Sequence, residues 1–429
     1  MRMHVGRSAL LSLLTITLAY GCTSGPSEEA VAAFDAATEA QNRRAGRADA
    51  DAAVEGFERA VEIDPDFAAA WAGLAQARIW LEFNQGVAGQ LAPAEAAAAR
   101  AAELAPDAGE THLALGYIAY RGHGDLDGAL EHFRAAEAQS AEDAEVAGAV
   151  GNILRRQGRL PEAIEAYERR VELDPTHAQG RATLAGTYAA LGRYEDTRAA
   201  ADELLAQGDG RAHVWRFWSS FHAGDTASAW SEIEGIQAAQ GRAGQPGYFA
   251  FLQALVRRDT EGGDALIAEI GTDVGGNLRL LMADHIAMTG QIDGHADAFD
   301  GWIATIEAGL VETPTTTRER MQQAARLSDL AYLEARRGDG GASMAHAAAA
   351  VDLDPMSSDA WAGSNTMMDV ALAHLALDHA NPGLAGIEAL QEDGMGPTTG
   401  WLTLHPIFDP FRGDERFEAI LERRRALED

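Results

Sequence analysis

Apolar residues recur along this chain at helical spacing, in blocks separated by short polar turns. Between Ala144 and Pro175, the residues Ala147, Val150, Gly151 and Leu154 fall on one face of a first helix. Ala163, Ile164, Tyr167 and Val171 form the matching stripe of a second. Gly151 places no side chain where that second helix must come close. The first helix is expected to stop at Gln157-Gly158, behind Arg155 and Arg156, whose charges suit the negative end of the helix dipole. Pro161 then opens the second helix, where its missing N–H costs nothing, and Asp174-Pro175 ends the unit. The pattern predicts two antiparallel helices with a small residue set against a large one.

The same unit recurs. VEIDP ends at Pro65, AELAP at Pro106, VELDP at Pro175 and VDLDP at Pro355. From Pro106 the series passes Ala141, Pro175 and Asp209 in steps of 35, 34 and 34 residues. A fixed period of this size predicts a solenoid in which each unit buries its apolar face only against its neighbours. Such a stack is more often a binding surface than a catalytic pocket.

The residues within a period closely resemble the tetratricopeptide repeat. A large-then-small pair appears in the first helix as Leu74-Ala75, Leu115-Gly116, Val150-Gly151 and Leu184-Ala185. The small residue early in the second helix is Ala53, Ala129 or Ala163, and the large one a turn later is Phe57, Phe133 or Tyr167. The resemblance implies an all-α, right-handed superhelical solenoid of antiparallel helix pairs. It is strong over 30–209 and weakens over 210–314 to helix-pair rhythm, for which degenerate repeats are the expectation. Repeat-like sequence resumes over 315–403. One unit, from Pro65 to Pro106, is 41 residues long, and its extra residues around Glu82 to Leu91 are expected to lengthen the inter-helix turn.

The N-terminus reads differently. Arg2 and Arg7 precede an apolar run from Ala9 to Tyr20, too short to span a bilayer but suited to a signal-peptide core. Cys22, the only cysteine, follows directly in LAYGC, which resembles a bacterial lipoprotein signal. The resemblance implies a signal peptide at 1–21, acylation of Cys22, a tether at 22–29, and a lipid-anchored protein at the outer membrane facing the periplasm. Ala19 in place of leucine and the bulky Tyr20 depart from that pattern, and ordinary secretion is the alternative.

Composition narrows the chemistry. The net charge is −32, so nucleic acid and anionic lipid headgroups are poor partners. All 34 basic residues are arginine, which excludes Schiff-base chemistry and any phosphate-loop or kinase-type lysine. No G-x-S-x-G elbow, H-E-x-x-H helix or cysteine pair occurs. His374 and His379, five apart, do not share a helix face as paired metal ligands would. No enzyme activity, cofactor or metal is expected.

In this repeat class the first helices line the concave groove. Their outward positions nominate Gln76, Trp80, Tyr117, Tyr120, Arg121, Asn152, Arg155 and Arg156 as a peptide-binding groove. Arginines and aromatics on one wall point to a protein or peptide with an acidic or C-terminal carboxylate segment. The plainer alternative is that Arg155 and Arg156 close a helix and the aromatics pack between repeats. A second aromatic group, Trp215, Phe217, Trp218, Phe221 and Trp230, is expected mainly in the core, with a docking surface as the alternative. The segment 404–429 resembles the closing segment of tetratricopeptide arrays in bacterial signalling proteins. Pro406, Phe408, Pro410, Phe411 and Phe417 are expected to cover the open end of the stack. The function expected from all this is a non-enzymatic, envelope-anchored scaffold that binds proteins or peptides. An uptake accessory holding a glycan or peptide, and an enzyme within 210–314, are the alternatives.

Overall fold

The computed structural model describes residues 25–43, 46–240, 246–353, 359–392 and 394–428. The expected leader, Cys22 and the turn at Pro355 lie outside them. Helix pairs follow one another along the chain. The first are α1 (Glu28–Arg43) with α2 (Arg47–Ile63), and α3 (Ala68–Gln85) with α4 (Leu91–Leu104). Next, α5 (Gly109–Tyr117) widens into a π-helical turn at Ile118–His123 and pairs with α6 (Leu126–Gln139). Then come α7 (Ala144–Arg156) with α8 (Leu160–Leu173), and α9 (Ala178–Ala190) with α10 (Tyr194–Ala206). The region of weak repeat sequence continues as helices: α11 (Ala212–His222), the short α12 (Thr226–Ser231) and α13 (Ile233–Gln240), then α14 (Pro246–Arg257) with α15 (Thr260–Ile270). It goes on through α16 (Asn277–Met288) and α17 (Ala296–Glu307). The chain closes with α18 (Thr317–Arg337) and α19 (Gly340–Leu353), α20 (Ala360–Ala376) and α21 (Ala380–Glu392), the short α22 (Thr399–Leu404) and α23 (Glu415–Glu428). The protein is an all-α helical-repeat solenoid, with no strand among the described residues.

Local chemistry sets the helix ends. Asp143 caps α7, its carboxylate accepting from Glu145 N at 2.8 Å and Val146 N at 3.4 Å. Thr316 and Glu319 form a reciprocal capping box at the start of α18. Gly158 ends the turn after α7 at φ 76°, a left-handed conformation that favours glycine. The small-on-large contact read from the sequence is present. A Cβ on Gly151 would sit 2.7 Å from Tyr167 Cε1, so α7 and α8 approach only because that atom is absent. Gly116 makes the same contact with the Phe133 ring. Ala163, Phe133 and Tyr167 are each fully buried.

Two expectations need correction. The 41-residue unit spends most of its extra length on a longer first helix: α3 has 18 residues where α7 has 13. The second concerns the C-terminal segment: it packs on the last pair, α20 and α21, but that end of the stack is not left open. Phe408 and Phe417 do stack in the core, with ring centroids 5.6 Å apart. However, α23 also reaches back to the middle of the chain, where Arg424 donates to Ala190 O at 3.2 Å. Around the same seam, Arg156 pairs with Asp359, and Arg318 donates to Phe83 O at 2.9 Å. Arg258 grips Asp409 with two nitrogens, and Arg258 Nη2 lies 2.7 Å from Asp409 Oδ1. The stack curls until its last pairs meet the end of α3, the π-helical turn, α7 and α9, because the final helices find apolar and ionic partners there. The concave face nominated as a groove is therefore faced by the chain's own C-terminal half.

Replacing Gly151 or Ala163 with leucine overpacks the α7–α8 contact and is expected to cost about 1–3 kcal/mol. Urea unfolding of both variants measures it; unchanged midpoints in both contradict this packing register.

Candidate functional site

The closed stack surrounds a chamber of about 1070 Å³. Its walls come from successive first helices: α7, α9, α11, α14, α16, α18 and α20, with α22 and the turn after it completing the ring. First helices face inward because second helices hold the outer layer, which is the same rule that nominated the groove. The aromatic rings on the wall are Trp215, Trp218, Tyr248, Tyr332, Trp361 and Trp401. The second aromatic group thus divides by helical phase. Phe217 and Phe221 are core residues at 0% exposure, Trp230 packs against that core, and Trp215 and Trp218 look into the chamber. Trp218 stacks on His222 at 5.2 Å and Trp401 on His405 at 4.7 Å, which fixes both indole planes.

Three aspartates ring the same space, each from the middle of a first helix: Asp284 in α16, Asp329 in α18 and Asp369 in α20. They differ in their partners. Asp284 accepts from Tyr332 Oη, pairs with Arg336 and lies 3.3 Å from His405 Nε2. Burial pushes its carboxyl upward, but Arg336, His405 and Tyr332 outweigh it and hold the group down at about 2. Asp369 receives only a hydroxyl hydrogen bond, from Ser328 at 2.9 Å. Burial, reinforced by the neighbouring Asp329 charge, pushes it up to about 7. Burial pushes Asp329 up to about 6, with Arg279 pulling the other way. Neither has an ion-pair partner among the described residues. A hydroxyl–imidazole pair also faces the chamber, Thr398 Oγ1 and His222 Nδ1 at 2.8 Å. Burial, with help from Arg424, pushes His222 down to about 3, too weak a base to activate a hydroxyl near neutrality.

The residues nominated for the groove fall in three places. Arg155 lines the chamber with its guanidinium 4.5 Å from the Trp361 ring centroid. Tyr120, Arg121 and Arg156 line a separate cavity of about 360 Å³ at the seam. The remaining four serve packing. Tyr167 Oη donates to Asn152 at 2.8 Å, and Tyr117 donates to Glu145 at 3.1 Å. Gln76 is buried and accepts from Gln41, and Trp80 lies against the first apolar cluster. The three arginines therefore do not act on one ligand: Arg156 is tied to Asp359 and its neighbour points elsewhere. The rings of His374 and His379 lie 5.8 Å apart, closer than a continuous helix would set them. The reason is that α20 ends at Ala376 and Asp378, at φ 58°, turns the chain back. Among the described residues no group of three or more His, Cys, Asp or Glu side chains is placed to hold a metal, and no helix is long and apolar enough to cross a membrane.

Sequence reasoning missed the aspartates although each carries a visible signal. Met282-Ala283-Asp284, Leu327-Ser328-Asp329 and Met367-Met368-Asp369 each set an acid inside an otherwise apolar stretch of a first helix. Aspartate is a poor mid-helix residue and burying it is costly, so three such placements in the middle of successive first helices mark a shared interior surface.

The raised carboxyls give a signed pH effect. The folded chain holds a proton on Asp369 up to about pH 7, where an unfolded aspartate releases it near pH 4, so this group costs stability as pH rises through that interval. Asp369→Asn keeps the neutral form at every pH. It is expected to unfold with the wild type at pH 4 and to exceed it at pH 8 by on the order of 1–3 kcal/mol. Thermal unfolding across that range measures this; a variant less stable than the wild type at pH 8 contradicts the assignment.

Residues 154–217, covering the end of α7 through the first half of α11, match the family model for the tetratricopeptide repeat. A curated relative, a peroxisomal targeting signal receptor from Eremothecium gossypii, is 31% identical over 144 residues. That match takes in 34% of this chain and only 21% of the receptor. Among solved structures, PilW, a type IV pilus biogenesis factor, aligns with 51% of this chain and 97% of its own at 16% identity and a TM-score of 0.42. A tetratricopeptide repeat protein from Parabacteroides merdae aligns with 74% of this chain and 98% of its own at 16% identity and a TM-score of 0.34. Residues 154–217 thus carry a match to the tetratricopeptide repeat, and they lie within an all-α helical-repeat solenoid whose first helices face inward on either side of them.

Proposed function

We propose that this protein is a non-enzymatic scaffold that holds a segment of a protein or peptide in its central chamber, with a basic side chain set among the aromatic rings. The observation that carries this reading is the pairing of Asp329 and Asp369, neither ion-paired, with a wall of indole and phenol rings. A guanidinium or ammonium group gains from both: it restores charge to the two carboxyls and is attracted to the ring faces. The charge preference is thus opposite to the acidic segment expected from the arginines alone. Arg155 and Arg156 are already engaged by Trp361 and Asp359. A chamber of about 1070 Å³ is at the upper end of single-ligand sites and suits a few residues of an extended chain. The relative's printed role, a targeting signal receptor, is compatible with peptide capture. A second reading, a glycan held by stacking, is favoured by the flat faces of Trp215, Trp218, Trp361 and Trp401.

Titration calorimetry with matched basic, neutral and acidic aromatic peptides tests the proposal. The basic peptide is expected to bind more tightly at pH 8 than at pH 5, because both carboxyls are then ionised. In the Asp329→Asn/Asp369→Asn double variant its affinity should fall at least tenfold, as removing a charge-assisted contact costs on the order of 1.5–3 kcal/mol. Preference for the acidic peptide defeats the reading; binding of an oligosaccharide, unchanged in the double variant, favours the second.

We further propose that the scaffold is secreted and anchored through acylated Cys22 at the outer membrane, facing the periplasm. The apolar run before a lone cysteine supports this. Two acyl signals give stable attachment, each buried methylene contributing about 0.8 kcal/mol. Cys22→Ala should move the protein from the membrane to the soluble periplasmic fraction, and a mature terminus without lipid by mass spectrometry overturns the anchor.

A further inference from the structure

The cavity at the seam has a charge that nothing else in this acidic molecule prepares for. Its wall of about 360 Å³ carries four arginines, Arg121, Arg156, Arg318 and Arg320, against one carboxylate, Asp359. That carboxylate is already committed to Arg156. Among the described residues Arg121 makes no hydrogen bond or ion pair, and its guanidinium lies 5.3 Å from the Tyr120 ring centroid, with Arg156 5.2 Å from the same ring. Arg320 donates only to Thr317 Oγ1, at 3.2 Å. Arg318 donates through Nη1 to Phe83 O at 2.9 Å, at the carbonyl end of α3, leaving Nε and Nη2 uncommitted. In a chain with a net charge of −32, this hollow gathers three guanidiniums that have no carboxylate partner among the described residues.

The placement matters as much as the charge. Arg121 and Arg156 belong to the π-helical turn and α7, whereas Arg318 and Arg320 belong to the first turn of α18, across the seam. The two sides touch closely: a Cβ on Gly124 would lie 2.7 Å from Thr317 Oγ1. Like charges from opposite sides therefore repel across a contact that closure requires. A doubly charged oxyanion relieves that repulsion and satisfies several N–H donors, since guanidinium forks fit phosphate oxygens in pairs. Beside Thr317 and Gln322, the rest of the wall carries apolar Phe83, Leu126, Met321 and Leu353, which accommodate an organic body behind the charged group.

We propose that the seam cavity binds a phosphate monoester carried on a small organic body, and that its occupancy fastens the closed form of the stack. The site is separate from the chamber and stands or falls independently of what the chamber holds. A ligand that binds only the closed form stabilises it by mass action.

The test uses the full chain in phosphate-free buffer, titrated with inorganic phosphate, phenyl phosphate and sodium chloride at matched ionic strength. Thermal unfolding and calorimetry are read in parallel. Phenyl phosphate is expected to give a saturable rise in unfolding temperature and to bind at least tenfold more tightly than inorganic phosphate. Equal affinity for the two overturns the organic-body assignment and leaves a free-phosphate site. The Arg121→Gln/Arg320→Gln variant, which removes no ion pair, should unfold at a higher temperature than the wild type without phosphate and lose the response. Arg320→Lys, which keeps the charge but not the fork, should retain a weakened response. A rise no greater than that with sodium chloride, or one of equal size in the double variant, overturns the proposal.

Discussion

The structure depends on one close approach, that of the first helix of a repeat to its second where glycine faces an aromatic ring. At Gly151 against Tyr167 and Gly116 against Phe133 the missing Cβ lets two backbones come together over a large flat side chain. That contact fixes which face of each first helix is spent on its own partner. The opposite face is left for the interior of the superhelix. In α7 this division sends Arg155 to the chamber, and the other first helices present residues such as Asp369 of α20 to the same space. Each pair is stable only with its neighbours, so the same contact also transmits curvature along the stack.

Curvature here runs to closure, and closure changes what the inner surface can do. An open groove offers its first-helix residues to a partner along its length. In this chain the C-terminal helices take that place: Asp359 meets Arg156, Trp361 lies under Arg155, and Arg424 reaches the carbonyl of Ala190. The groove becomes a chamber with an aromatic wall and a surplus of acid. The cost of burying Asp329 and Asp369 is borne by protonation near neutrality, which leaves both groups responsive to an incoming cation.

Much of this was legible in the sequence, for a definite reason. Helix pairs, their turns and their small-on-large contacts are local, written within one period by residues such as Ala147, Gly151, Pro161 and Tyr167. The inward direction of the first helices follows from the repeat as well. Closure was not legible, because it depends on contacts such as Arg156 with Asp359 and Arg318 with the end of α3, between residues far apart in the chain. The sequence placed Arg121, Arg155 and Arg156 on one inner wall, but the phase of neighbouring residues along α7 sends Arg155 to the chamber and Arg156 to the seam. Asp284, Asp329 and Asp369 were visible as isolated acids within apolar runs. Their meaning required knowing that α16, α18 and α20 face one hollow.

Closure itself is the central claim, and a double-mutant cycle on Arg156 and Asp359 tests it most directly. Asp359 also caps α20, accepting from Ala362 N at 2.9 Å, so a single substitution would mix two effects. The cycle of Arg156→Gln, Asp359→Asn and the double variant cancels the capping term. A closed stack predicts that the two losses of stability are coupled by about 1–3 kcal/mol, as for contacting charges in a partly buried pair. Losses that simply add, within about 0.5 kcal/mol, would mean that these residues do not meet and that the stack is open in solution.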